Sequence, residues 1–431
     1  MIVLDRPEDI DFTQFVRPGD MVVSSQAMAE PVALTRRLVE QRTAIGDFRM
    51  FIGPSFSGVF KPEHGNEITF ETYCGTGENA TLPLDVVPAH FSEWPRLFDT
   101  GVMPCDVALL TLSEPDADGR FNLGACNDYV VAAARRARVV IAEICANVPW
   151  VQGCELPQDI RPHYVVRTGR ELVSLERSSK AREPERRIAA HVAGLVPDGA
   201  TLEIGIGMAP DLVMKALANH RHLGIHTGVI SDSMMDLMET GAIDNSRKTE
   251  HRGMSVAGLL IGSRRLLSFA DRNPHILLMD ASRTHDQATL RALPDFIAVN
   301  SAIEVDLTGQ INSETLDGRY IGAIGGQVDF VRGGNASPTG RSIMILAATG
   351  RGAEESRVLA RLPDSVVTTA RADVDVVVTE FGVAHLRGKS LAARAKAMVE
   401  LAHPDFRESL ARSAHAYGKK TSAIREAYFA Q

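Results

Sequence analysis

Residues 106–144 read DVALLTLSEPDADGRFNLGACNDYVVAAARRARVVIAEI. Asp106–Leu112 is almost continuously apolar, and Val139–Ile144 has the same character. Between them, Ser113–Gly119 has the composition of a turn, and Tyr129–Arg136 has the spacing of a helix. Strands that are apolar on both faces and alternate with helices are typical of a parallel sheet covered on both sides. This stretch therefore predicts an α/β fold.

The alternation of strands and helices pauses once along the chain. Glu171–Arg187 is charged and rich in serine, and it contains Pro184, so we interpret it as a linker. The alternation resumes with a predicted helix over Ile188–Leu195 and a strand over Ala200–Ile204. A length of 431 residues also exceeds one ordinary domain. We expect two tandem open α/β domains, over residues 1–180 and 181–431.

Composition and charge exclude several classes of protein. A net charge of −8 argues against a protein that binds a nucleic-acid backbone. The chain has no apolar run long enough to span a bilayer, and its first residues do not have the pattern of a signal peptide. The five cysteines are an odd number without a CxxC pair, which favours reduced, buried thiols and no structural zinc. We expect a cytoplasmic protein without membrane association.

Two glycine clusters are candidates for ligand binding. The strand Ala200–Ile204 leads into Gly205-Ile206-Gly207, and a helix is predicted to start near Pro210. Free N–H groups at such a turn suit a phosphate or a developing oxyanion, but a plain strand-to-helix turn explains the glycines equally well. Gly325-Gly326 indicates either a backbone held close to a ligand or a hairpin turn. Pattern alone does not name a reaction.

Several separate segments, in order along nearly the whole chain, resemble the acetyl-CoA hydrolase/CoA-transferase family of family I CoA-transferases. The branch includes 4-hydroxybutyrate, butyryl-CoA:acetate and itaconate CoA-transferases. The segments are Phe91–Phe98, Ser113–Gly124, Ile204–Gly207, Gly224–Thr227, Ile230–Asp232, Asn300–Gln310, Gly325–Phe330, Val378–Ala384, Leu386–Gly388 and Ala402–Arg407.

The resemblance implies two tandem α/β domains with the active site between them. It implies transfer of CoA between a short-chain acyl-CoA and a small carboxylic acid through a glutamyl-CoA thioester. The substrates would be small molecules, with no tightly bound cofactor and no metal, and homo-oligomerisation stays open. The residues implied to contact CoA are Gly205, Ile206, Gly207, Met208, Ala209, Gly228, Gly325 and Gly326.

One position departs from the family pattern. The catalytic glutamate of the family usually follows the segment Gly224–Thr227, where this chain has Gly228. Either the glutamate has moved to another loop, or the chain hydrolyses or merely binds acyl-CoA without a covalent step, or it is inactive. We favour relocation.

The predicted new nucleophile is Glu63, at the end of the loop that follows the strand Phe48–Ile52. A surface position near a turn would explain Glu63 equally well. Glu30 is the second candidate, and a role at the start of a helix would also account for it.

Overall fold

A computed structural model of the chain describes residues 1–175, 181–350, 352–362 and 366–415. The first 168 of these contain one sheet and three α-helices. In chain order they are β1 (Ile2–Leu4), β2 (Met21–Ser24), α1 (Val32–Ile45), β3 (Phe48–Ile52), β4 (Ile68–Thr72), β5 (Leu84–Val86), α2 (Trp94–Asp99), β6 (Val107–Leu112), α3 (Val130–Arg136), β7 (Val139–Cys145) and β8 (Tyr164–Thr168).

The remainder of the described chain holds a second sheet with several small ones. Its helices are α4 (Glu183–Ala193), α5 (Met208–Ala216), α6 (Asp232–Glu239), α7 (Arg264–Ala270), α8 (Ala281–Thr284), α9 (Gln287–Ala292), α10 (Gln327–Ala336) and α11 (Leu391–Leu401). Its strands are β9 (Thr201–Ile204), β10 (Gly224–Ile225), β11 (Val229–Ile230), β12 (Ser255–Ala257), β13 (Leu259–Leu260), β14 (Ile276–Leu278), β15 (Phe296–Ser301), β16 (Glu304–Asp306), β17 (Ile311–Asn312), β18 (Thr315–Leu316), β19 (Arg319–Tyr320), β20 (Arg341–Ile345), β21 (Val358–Leu359), β22 (Val376–Thr379) and β23 (Gly382–His385).

The first sheet has eight strands in the order β1-β8-β7-β6-β2-β3-β4-β5, and every pairing is parallel. Strand β6 lies inside it and is buried on both faces. Val107 and Leu109 pack in one apolar cluster with helix α1, whereas Ala108 and Leu110 pack in another with α2 and α3. The continuous apolar run therefore has its physical cause in helices on both sides of the sheet.

The second sheet has six strands in the order β10-β9-β15-β20-β22-β23. Its pairings are parallel apart from the antiparallel edge strand β23. Strand β9 pairs in parallel with β10 on one side and β15 on the other, so the carboxyl ends of these three strands lie side by side. The predicted α/β fold with a sheet in each half of the chain is confirmed.

The segment predicted as a linker is partly helical. Residues 176–180, which include the predicted domain boundary, lie outside the described part of the chain, but helix α4 begins at Glu183, five residues before the predicted start at Ile188. Acidic Glu183 and Glu185 stand in its first turn, where the partial positive charge of a helix start stabilises carboxylates. The charged residues from Glu183 to Arg187 therefore belong to a helix start.

A single apolar cluster extends across both halves of the chain. It contains residues of β6 and α3 from the first half together with residues of β9, α5 and β15 from the second. All five cysteines are buried and free, as predicted. Within the described residues, no helix is both long and apolar enough to cross a bilayer.

Candidate active site

A cavity of about 370 Å³ lies where the carboxyl ends of the two sheets meet. In parallel sheets these ends carry the loops that hold ligands, so this is the expected place for a site. Residues after β3 and β4 contribute from the first half, and residues at the ends of β9 and β15 contribute from the second. The lining residues used below are Pro54, Cys74, Glu203, Gly205, Ile206, Thr227, Gly228, His285, Asn300, Gly325, Gly326 and Phe330.

Backbone hydrogen bonds fix the two sides of this cavity to one another. The N–H of Gly75 donates to the carbonyl of Gly322 at 2.8 Å, and the N–H of Phe91 donates to that of Gly325 at 2.8 Å. The hydroxyl of Ser92 donates to the carboxylate of Asp329 at 2.9 Å. The second glycine cluster is thus held by loops of the first half, which makes the cavity a shared one.

The two glycine clusters predicted to bind a ligand face this one cavity. Its lining includes Gly205, Ile206, Gly228, Gly325 and Gly326. Gly207, Met208 and Ala209 instead form the start of helix α5, two residues earlier than predicted, and are not among the lining residues. Contact of these eight residues with CoA stays a prediction.

Two glycines of these clusters are required by the fold itself. Gly207 has φ +138°, a conformation that side chains rarely adopt, so the turn before α5 accounts for it without a ligand. A Cβ added at Gly326 would lie 2.6 Å from Cδ2 of His285 and 3.0 Å from Cε2 of Phe330. Close packing on the His285 ring therefore explains that glycine.

Two other glycines have no such requirement. A Cβ at Gly205 would meet its nearest atoms at 3.5 Å, and one at Gly228 would meet its nearest atoms at 3.6 Å, both ordinary contact distances. Neither residue has a positive φ. Since both line the cavity, an added side chain would take space from a ligand rather than clash with the protein.

The predicted oxyanion donors are only partly available. The N–H of Gly205 already donates to the carbonyl of Val299 at 2.9 Å. No hydrogen bond within the described backbone is donated by the N–H of Ile206 or of Gly326. Both residues line the cavity, so the N–H groups of Ile206 and Gly326 are the better candidates for stabilising an oxyanion.

The sequence reasoning missed Glu203, which lies on β9 and lines the cavity. Its side chain is buried, and its Oε2 accepts a hydrogen bond of 2.6 Å from Nδ2 of Asn300. Burial raises the pKa of the Glu203 carboxyl and the hydrogen bond from Asn300 lowers it, and the result is a pKa of about 8. A charged residue in an otherwise apolar buried strand was the available signal.

His285 was also missed, and it packs beside Gly228 and Gly326. Its ring lies between Phe91, at a centroid distance of 5.2 Å, and Phe330, at 4.4 Å. Burial lowers the pKa of His285 to about 3, so the imidazole is neutral at pH 7. A neutral ring supplies no positive charge to the cavity.

Neither predicted nucleophile lines the cavity. Glu63 is exposed on a 3₁₀ turn over Pro62–Asn66 and is not among the residues that line the cavity. Glu30 is buried, and its carboxylate accepts hydrogen bonds from the hydroxyls of Ser55, at 3.0 Å, and Ser57. The assignment of Glu63 as the nucleophile stays a prediction.

Comparison with known proteins finds two matching domains. Residues 8–160 match the acetyl-CoA hydrolase/transferase N-terminal domain, and residues 262–414 match the acetyl-CoA hydrolase/transferase C-terminal domain. Residues 161–261, which include Glu203 and Gly228, fall between the two matches.

Similar proteins cover almost the whole chain. A 4-hydroxybutyrate coenzyme A transferase of Clostridium kluyveri is 37% identical over 90% of this chain and 92% of its own length. A succinyl-CoA:cyclohexane-1-carboxylate CoA transferase of Geobacter metallireducens is 37% identical over 94% of both chains. The crystal structure of RipA from Yersinia pestis is 31% identical, with a TM-score of 0.87 over 96% of this chain and 97% of that one.

Proposed function

The chain belongs to the acetyl-CoA hydrolase/transferase family, and from that premise we propose that it is an acyl-CoA:carboxylate CoA-transferase. Its substrates would be a short-chain acyl-CoA and a small carboxylic acid, and CoA would pass between them through a glutamyl-CoA thioester. Transferases among the similar proteins, each at 37% identity over nine-tenths or more of both chains, support this class of reaction.

One observation carries the proposal for this chain itself. The cavity joins both glycine clusters and has a volume of about 370 Å³, and the described residues that line it include a single carboxyl. That volume is at the low end of the roughly 300–1,000 Å³ of small-molecule sites. It suits a short acyl group and the end of a pantetheine arm, with the rest of CoA outside.

A covalent carboxylate suits transfer between two acids. It forms a mixed anhydride with the acyl group and a thioester with CoA, and each step is reversible. The thioester keeps the CoA bound while one acid leaves and the other enters. Backbone N–H groups at Ile206 and Gly326 would stabilise the oxyanion of each step.

Hydrolysis of acyl-CoA is the second candidate function. A Cβ at Gly228 would lie 3.6 Å from the Nε2 of His285, and a water bound at that position would be the nucleophile of hydrolysis. However, the pKa of His285 is about 3, so its imidazole is a weak base for removing a proton from water. The low pKa of His285 therefore favours transfer over hydrolysis.

An acceptor-dependence assay tests the proposal. Purified protein is incubated with acetyl-, butyryl-, succinyl- or 4-hydroxybutyryl-CoA, with and without a second acid, and both free thiol and new acyl-CoA are measured. We expect new acyl-CoA only when the acid is present, with little free thiol in its absence. Release of free CoA at an equal rate without the acid would establish a hydrolase instead. Complete inactivity would favour the binding protein.

A further inference from the structure

We propose that Glu203 is the covalent nucleophile of this protein. The inference rests on the proposed transferase function and names the residue that carries its intermediate. The experiments below can refute the assignment of Glu203 without refuting the transferase function.

The first support is position. Among the lining residues that the structure describes, Glu203 is the one carboxylate. It lies on the strand between β10 and β15, and the N–H of His226 donates to the carbonyl of Leu202 at 3.0 Å on that side. Continued along the two strands, this parallel register places His226 beside Glu203 and position 228 beside Gly205, two residues further along. Glu203 and Gly228 both line the cavity, so a carboxylate at 203 faces the same cavity as a side chain at position 228 would.

The second support is the small number of its partners. Asn300 donates the one hydrogen bond that the Glu203 carboxyl receives from the described residues. Within the described part of the chain, the lining includes no lysine and no arginine that could form an ion pair with the carboxylate. A structural buried carboxyl is ordinarily paired or fully hydrogen-bonded, as Glu143 is with Arg170 and Thr168. Glu203 is left free to react.

The transfer can be written through Glu203 with all bonds balanced. One carboxylate oxygen attacks the thioester carbonyl, the C–S bond breaks, and CoA thiolate leaves an acyl-glutamyl anhydride. The thiolate attacks Cδ of Glu203, the acyl group leaves as a carboxylate, and a glutamyl-CoA thioester remains. The acceptor carboxylate displaces the thiolate from Cδ, and the thiolate then attacks the acceptor carbonyl, which releases Glu203. No proton is consumed.

The buried environment assists this order of events. An ionised carboxylate without a countercharge is costly in a desolvated cavity, whereas the anhydride and the thioester are neutral. The acceptor acid is itself an anion, so it enters more easily once Glu203 carries CoA and has lost its charge. The same burial thus favours the covalent intermediate and lets the acceptor acid enter the cavity after the first acid has left.

Trapping and mapping of the intermediate tests the assignment. Wild-type protein is incubated with an acyl-CoA that it turns over, treated with borohydride to reduce the thioester carbonyl to an alcohol, and digested. Peptide fragmentation should place the modification on Glu203. In parallel, E203Q should lose at least about 10³-fold in kcat, because the amide keeps the shape and the Asn300 hydrogen bond but is no nucleophile.

The rival carboxylates give the opposing outcomes. Modification of Glu63 or Glu30, or loss of turnover in E63Q or E30Q with full activity in E203Q, would overturn the Glu203 assignment and leave the transferase function intact. Turnover without any trapped residue would overturn both the assignment and the glutamyl-CoA step. The mapping uses wild-type protein, so it does not depend on how any variant folds.

Discussion

Replacing Glu203 by glutamine should stabilise the protein, and more so as the pH rises. Burial raises the pKa of this carboxyl from its ordinary 4.5 to about 8. Between these values the folded chain retains a proton that the unfolded chain has lost, so the stability that the carboxyl contributes is complete below pH 4.5 and is lost as the pH rises to about 8. Glutamine does not titrate and escapes this loss.

The magnitude follows from the size of the shift. A pH of 7 is 2.5 units above the ordinary pKa of the carboxyl, 4.5. At about 1.36 kcal/mol per unit, burial of this carboxyl lowers the free energy of unfolding of the wild type by about 3 kcal/mol at pH 7. A chain of 431 residues has an unfolding entropy of about 0.9 kcal/mol/K, from about 2.1 cal/mol/K per residue. The melting temperature of Glu203→Gln should therefore exceed that of the wild type by about 3 °C at pH 7.

The assay is thermal melting of both proteins from pH 5 to pH 8. We expect nearly equal melting temperatures at pH 5 and a difference that grows with pH. Glu63→Gln, at an exposed position, is the matched control and should melt as the wild type does. A difference that does not change with pH, or a less stable Glu203→Gln at pH 8, would refute the reasoning, since the carboxyl would then be ionised and paired in the fold.

Three further predictions concern activity. In the wild type, kcat/KM should rise with pH to a plateau above about pH 8, as Glu203 ionises. Asn300→Ala should move this rise to higher pH, because the hydrogen bond from Asn300 lowers the pKa of Glu203 and its loss raises that pKa. Gly326→Ala should destabilise the protein by about 1–3 kcal/mol and reduce turnover, because its Cβ would lie 2.6 Å from Cδ2 of His285. Gly205→Ala should melt normally but raise KM for acyl-CoA, because the added methyl meets only ordinary contacts within the protein.

Each of these has a clear contrary result. A pH profile that is flat from pH 6 to pH 9 would remove Glu203 from the rate-determining chemistry. Gly169→Ala is the control for both glycine variants, because a Cβ there meets no atom within 4 Å. Wild-type kinetics in Gly205→Ala would mean that the loop after β9 is only a turn, and a wild-type melting temperature in Gly326→Ala would mean that the His285 ring moves aside without cost.

The fold could be predicted from the sequence because its signal is local. The strand β6 is almost entirely apolar, and such a run within an alternation of strands and helices is typical of a sheet covered by helices on both sides. The helix α4 was predicted, but its start was placed five residues too late, because charged residues in a first turn look the same as those in a linker until their backbone conformation is known.

The site could be predicted only in part because its contacts are distant in sequence. The glycine clusters are visible as motifs, and they do face one cavity. By contrast, Asn300 and Glu203 are 97 positions apart, and the contact between Gly326 and His285 joins two different loops. The prediction of Glu63 followed the local pattern of a loop after a strand, which does not reveal whether the loop end turns toward the cavity or toward solvent.

The intact mass of the wild-type protein after incubation with an acyl-CoA, in the absence of any acceptor acid, tests the central claim most directly. A transferase that works through a glutamyl thioester should gain the mass of one CoA less one water, and should lose it again when a carboxylic acid is added. An unchanged mass while acyl-CoA continues to be consumed would contradict the covalent account.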